Sequence, residues 1–275
     1  GDFFAQNSPH GVVVDADGKI WVAFYSGYGP GPDGDVEFWG KTYEGVMDTC
    51  HYKPLWVFNA DGSMADCSPL AILEFANEDR VDTLYAESPI NGGGYGMSLD
   101  NDGNILYTAW STVYRIDYQT GEALNAYTCP ELTSTTKAVQ APDGTIYVTY
   151  VLAGARPVHM LDDDFNFIGN AIDTLGYITR SLLVESDGTD YGANLYTGST
   201  WNGQGVLKLH SEDPFFYKFD FVDTLGNQVV MSDTDTTINY LWASSTDWDM
   251  NGNIIVGALR ESWAGPLGSR WWIVD

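Results

Sequence analysis

The chain has 275 residues, 44% of them hydrophobic, enough to bury one large all-β domain or two smaller ones. Its 38 acidic side chains outnumber 12 Lys and Arg and leave a net charge of -26. A field of that sign repels nucleic acid and anionic lipid, attracts cations, and suits a soluble extracellular protein. No apolar run nears the roughly 18 residues of a membrane helix, so insertion by helix is not expected. Residue 1 is Gly with no basic-then-apolar leader before it, and the chain reads as a processed or excised form.

Short runs of β-branched and aromatic residues dominate, punctuated by Gly, Asp and Asn, as strands and tight turns require. In chain order, residues 1–11 (GDFFAQNSPHG) read as an outer strand running into an inner one. Residues 12–24 (VVVDADGKIWVAF) form the first strand–turn–strand unit. A Gly- and Pro-rich insertion follows at 25–53, and then a third strand at 55–62. The unit returns at 97–110, with a third strand at 113–121 and a fourth at 123–127. It returns again at 139–150, with later strands at 158–166 and 167–172. The fourth copy spans 182–196, followed by a loop at 195–205, a strand at 206–214 and an outer strand at 215–221. A second insertion covers 223–243. The last copy, 246–258, leads through a loop at 259–269 to a final strand at 271–275.

The turn glycines are Gly18, Gly103, Gly144, Gly188 and Gly252. Glycine serves there because it accepts φ > 0 without a Cβ clash. They lie 85, 41, 44 and 64 residues apart, a period that means a repeat architecture. The expectation is one all-β domain over residues 1–275: a β-propeller of four-stranded antiparallel blades. Five blades are counted, with six as the alternative because the first interval is long. The N-terminal strand is expected to close the ring beside residues 271–275. Trp21, Trp56 and Trp272 fall in strands and are read as core.

The signature SPHGVVVDADGKIWV resembles the NHL-repeat, gluconolactonase-like and virginiamycin B lyase-like propellers, and the resemblance extends over all five units. It implies that the short Asp-Gly turns share one face. The loop-rich opposite face then surrounds a channel mouth, where function resides. The mouth positions here are His10, Tyr95, Thr136 with Lys137, Arg180 and Ser244, with Asp247 and Trp248 just after. In gluconolactonase-like propellers such positions supply Glu, Asn and Asp oxygens to calcium or another divalent ion. Here they are basic, aromatic or hydroxylic. The lyase-like propellers use His and Glu with magnesium, and His10 stands in a similar Pro-His-Gly context. No second His or Glu accompanies it, so His10 is read as a structural hydrogen-bonder or a catalytic base.

The Asp-x-Asp-Gly turns (Asp15/Asp17, Asp100/Asp102, Asp249/Asn251) lack the further carboxylates of a calcium loop and are read as local side-chain-to-backbone turns. Trp39, Tyr43, Trp201 and Trp263, with Tyr28, lie in predicted loops beside acids and suit stacking on a glycan or anchoring a protein. No GxSxG elbow, P-loop, dinucleotide fingerprint or HExxH is present. Of three cysteines, Cys50 and Cys67 flank one strand and either pair or stay free, with Cys129 left over. The first reading is a secreted module binding a protein or glycan, without a confident cofactor. The alternative is a lactonase or lyase using calcium or magnesium at the channel mouth.

Overall fold

The structure is a computed structural model that describes residues 8–26, 36–38, 41–43, 55–68, 70, 72–84, 94–130, 134–150, 157–175, 179–199, 205–215, 218–225, 227–231, 236–240, 243–258 and 270–274. The described residues form 24 strands, with no helix among them. The first sheet joins β1 (Ser8–Val14), β2 (Ile20–Ser26) and β5 (Trp56–Phe58). Along the chain, a hairpin of β3 (Val36–Phe38) and β4 (Lys41–Tyr43) precedes β5, and a hairpin of β6 (Ile72–Glu74) and β7 (Val81–Thr83) follows it. The second sheet runs β8 (Gly94–Leu99), β9 (Ile105–Ala109), β10 (Thr112–Ile116), β11 (Ala123–Thr128). The third runs β12 (Thr135–Gln140), β13 (Ile146–Tyr150), β14 (Val158–Leu161), β15 (Phe167–Ile172). The fourth runs β16 (Thr179–Ser186), β17 (Ala193–Ser199), β18 (Val206–Ser211), β19 (Asp220–Leu225). After a hairpin of β20 (Asn227–Met231) and β21 (Thr236–Tyr240) comes the fifth sheet, β22 (Ala243–Trp248), β23 (Ile254–Ala258) and β24 (Arg270–Val274).

Each sheet follows chain order, and the first two strands pair antiparallel in the first, second, fourth and fifth sheets. The reason is local. All five turn glycines take φ between +81° and +95°, a region closed to most side chains. Asp15 Oδ1 accepts from the N–H groups of Asp17 (3.0 Å) and Lys19 (2.8 Å), which closes the β1–β2 turn. Asp100 does the same for Asp102 and Asn104, and Asp249 for Asn251 and Asn253. The Asn253 side-chain amide, which donates to Asp249 Oδ2 at 2.8 Å, and these backbone bonds hold the Asp249 carboxyl below the ordinary carboxylate range. The aspartates are thus occupied by their own turns, as expected from the sequence.

Two of them also reach the core. Asp15 is buried, and its Oδ2 accepts from the Trp21 indole at 2.8 Å. Asp100 is buried and meets Arg115 Nε at 2.8 Å. Both carboxylates therefore tie a turn to the strand beside it, and burial strengthens the bond.

The chain divides into two compact units, residues 1–138 and 139–275. The first buries Trp21, Leu55, Leu73, Ile105, Tyr107 and Ile116 in one cluster. The second holds a cluster around Tyr147, Leu182, Leu195 and Phe219 and another around Leu183, Tyr196 and Val256. Trp56 is buried as expected, while the side chain of Trp272 falls outside the described residues.

Several expectations are corrected. The insertions at 25–53 and 223–243 are not plain loops, since each carries a two-stranded hairpin. The outer strand of the fourth sheet begins at Asp220, not at 215. The cause is Phe219, which is buried against Tyr147 edge-to-face at 5.6 Å and donates its N–H to Ala171 O. Tertiary packing takes this residue out of the ladder that its β propensity favours. The first and fifth sheets have three described strands each. Cys67 is a buried free thiol, and Cys50, its expected partner, lies outside the described residues. The closing strand expected at residues 1–7 also lies outside them.

Candidate functional site

The first strand of four of the sheets carries a shared irregularity. In β1–β2 the pairing steps from Pro9↔Phe24 to Gly11↔Ala23 and leaves His10 as an extra residue. In β8–β9 it steps from Gly94↔Ala109 to Met97↔Tyr107, with Tyr95 and Gly96 opposite one residue. In β16–β17 the extra residue is Arg180, between Thr179↔Ser199 and Ser181↔Gly198. In β22–β23 it is Ser244, between Ala243↔Ala258 and Ser245↔Gly257. Each bulge falls five positions before an acidic residue, Asp15, Asp100, Glu185 or Asp249, three before the turn glycine. Thr136 holds that position in the third repeat. A bulge bends its strand and re-aims a side chain, and such features concentrate at functional sites.

The bulge needs support, because it takes backbone groups out of the ladder. At two of the four bulges a threonine on the second strand provides it. Gly96 donates its N–H to Thr108 Oγ1 at 2.9 Å, and the Thr108 hydroxyl donates back to Gly96 O at 3.1 Å. In the fourth sheet the Thr197 hydroxyl donates to Ser181 O at 2.8 Å, while Ser181 N–H donates to Thr179 Oγ1. Thr108, Thr149 and Thr197 occupy equivalent places and are fully buried. Sequence reasoning does not single them out. Their signal is partial: Thr108 and Thr149 each stand five residues after the turn glycine, while Thr197 stands nine after Gly188, beyond a longer turn.

Within the first unit, the inner strands meet at the bulge. A side chain on Gly11 would press on Met97 and Gly96, and one on Gly96 would strike Thr136 O. The positions of His10, Tyr95 and Thr136 with Lys137 therefore stand at one level on adjoining strands. His10 and Lys137 are half-buried and Thr136 is buried; Tyr95 is placed by its backbone alone. Within the second unit, Ser181 and Thr246 join β16 to β22 through their hydroxyls at 2.8 Å, next to Arg180 and Ser244.

Asp247 and Trp248 stand elsewhere. They pair with Ile255 and Ile254, beside the Asp249 turn, at the end of β22 away from its bulge. Trp248 packs edge-on against Tyr196 at 5.5 Å. Asp247 is exposed and accepts from the Trp248 N–H. Of the loop aromatics, Tyr43 belongs to β4, and Tyr28, Trp39, Trp201 and Trp263 lie outside the described residues. Among the described residues no group of three or more His, Cys, Asp and Glu side chains is arranged around a metal position.

No protein-family profile matches the chain, and no curated protein matches it by sequence. Solved structures do match. A glucose dehydrogenase superposes with a TM-score of 0.52 over 98% of this chain and 82% of its own, at 10% identity. A Bacteroides fragilis protein described as a 6-phosphogluconolactonase gives 0.50 over 97% and 85%, at 13% identity. The fold is a β-propeller. A Bacteroides caccae protein of unknown function gives 0.47 at 11% identity over 76% of this chain, which spans 62% of that protein's length. Likeness at this level carries the propeller fold and no activity, because propellers host unrelated chemistries. Chemically, the bulge-position residues of this propeller (His10, Tyr95, Thr136, Arg180 and Ser244) share one property: each donates hydrogen bonds.

Proposed function

We propose that the chain is an extracellular propeller of five blades that binds a glycan or a protein segment through the bulge ends of its inner strands. The observation that carries the reading is the register shift that recurs beneath His10, Tyr95, Arg180 and Ser244. The bulges recur, two of them with buried threonine supports that fix the strand end, and rigid donors lose little entropy on binding. The donors match a partner rich in acceptor oxygens. No carboxylate stands at a bulge position, and a hard divalent ion calls for oxygen ligands, so a metal-centred lactonase or lyase has less support.

The test is a glycan array and a pull-down with the intact chain, followed by His10→Ala, Lys137→Ala and Arg180→Ala. The expected outcome is a saturable partner whose affinity falls about tenfold or more with at least one of these, as for loss of a charge-assisted bond. Lactone or lyase turnover with one divalent ion per chain would overturn the reading. So would a partner whose affinity none of the three substitutions changes.

A further inference from the structure

The turn of the fourth sheet departs from the other Asp-Gly turns. Between β16 and β17 the chain runs Asp187-Gly188-Thr189-Asp190-Tyr191-Gly192, and Glu185 takes the place that Asp15 holds in the first sheet. The Asp187 carboxylate lies directly over Gly192, where any side chain would displace it. The Thr189 N–H (2.8 Å) and hydroxyl (2.6 Å) both donate to Asp187 Oδ1. The second oxygen, Oδ2, stands 3.8 Å from His210 Nε2 on β18.

The other side of the imidazole assigns the protons. Glu185 Oε2 accepts from the Tyr196 hydroxyl at 2.7 Å and from Asn194 Nδ2 at 3.3 Å. An ionised carboxylate only accepts, so the Asn194 amide turns its NH2 to Glu185 and its carbonyl to His210. That carbonyl, 3.0 Å from His210 Nδ1, also only accepts, so Nδ1 carries the hydrogen. In the neutral ring Nε2 is then a bare lone pair facing a carboxylate oxygen. Two acceptors confront each other across a gap, with the two side chains 31% and 17% exposed to solvent. A cation between them, either a proton on Nε2 or a metal ion, resolves the repulsion.

We propose that His210 Nε2 and Asp187 Oδ2 bind a divalent transition-metal ion, zinc in the first instance, with water in its remaining positions. An imidazole ligand selects zinc, copper or nickel over calcium and magnesium. A ligating histidine characteristically donates its other N–H to a carbonyl or carboxylate, as His210 does to Asn194 with Glu185 behind it. Zinc bonds of about 2.0–2.2 Å to both atoms span the gap at an angle of roughly 130°, and closure by about 0.4 Å makes it tetrahedral. The site lies at a turn, away from the bulge ends, and does not depend on the function proposed above.

The experiment is calorimetric titration of the untagged chain with zinc chloride, with magnesium chloride as control. One zinc per chain is expected, with a dissociation constant at least tenfold higher in His210→Ala and in Asp187→Asn. A second readout needs no variant. In the NMR spectrum, the ring resonances of His210 shift on adding zinc while those of His10, His51 and His159 do not. Absence of stoichiometric zinc binding overturns the proposal. So does binding that survives His210→Ala unchanged, or zinc addition that leaves the His210 ring unmoved.

Discussion

The buried aspartate of the first turn does three things at once. Asp15 caps two backbone N–H groups and the Trp21 indole, so its removal orphans three donors, one of them in the core. Asp15→Ala should cost about 2–4 kcal/mol by urea denaturation, the scale of a buried charge-assisted bond with its desolvation penalty. Asp249→Ala removes turn bonds that are exposed or half-buried, none of them in the core, and should cost visibly less. Thr108→Val keeps the side-chain shape but leaves both Gly96 backbone groups unsatisfied, so about 1–3 kcal/mol should be lost. His159 reports on pH. It is buried between Tyr150, whose hydroxyl lies 2.8 Å from Nδ1, and the Phe167 ring, and burial pushes its pKa down to about 4. The unfolded state therefore binds a proton between pH 6.5 and about 4 that the folded state refuses. This contribution to stability is complete above the unfolded value and is lost as pH falls toward 4. His159→Phe should flatten the fall in urea midpoint between pH 7.5 and 5 relative to wild type. An unchanged slope would assign the acid sensitivity to other groups.

At the scale of strands, close approach of backbones decides which residues are tolerated. A side chain on Gly198 of β17 would collide with Ala243 of β22, a contact wholly inside the second unit. Gly198→Ala should destabilise by about 1–3 kcal/mol, the cost of overpacking, and Ala243→Gly on top of it should recover part of that loss. Additive losses in the double variant would show that the two strands do not meet there. The outer strand β19 illustrates the opposite condition. Phe221 and Val222 are exposed, at 60% and 52%, because Phe219 just before them has been drawn into the core. The strand thus starts late and presents apolar groups to solvent at a sheet edge.

Charge governs the behaviour of the whole molecule. A net charge of -26 opposes compaction, and cations such as Lys19 and Arg80 are spent on local pairs with Asp17 and Asp82. Raising ionic strength from about 0.01 M to about 0.1 M shortens the screening length from about 30 Å to about 10 Å, and Tm should rise by a few degrees. A Tm that stays level or drops would mean that self-repulsion is already balanced locally. The five hairpins, their third strands and the turn role of the aspartates were all legible in the chain, because each follows from a period-2 apolar pattern closed by a residue that accepts positive φ. The bulge position was legible as a recurrent spacing, His10 through Ser244, but not as a bulge. A register shift exists only between two strands and leaves no mark on either one alone. For the same reason the placing of Asp247 and Trp248 beside the turn, the hairpins inside both insertions and the late start of β19 came only with the folded chain. The facing of His210 by Asp187 came last of all. Those residues are 23 positions apart in sequence, and nothing local to either one points to the other; the β16–β17–β18 pairing alone brings them within reach.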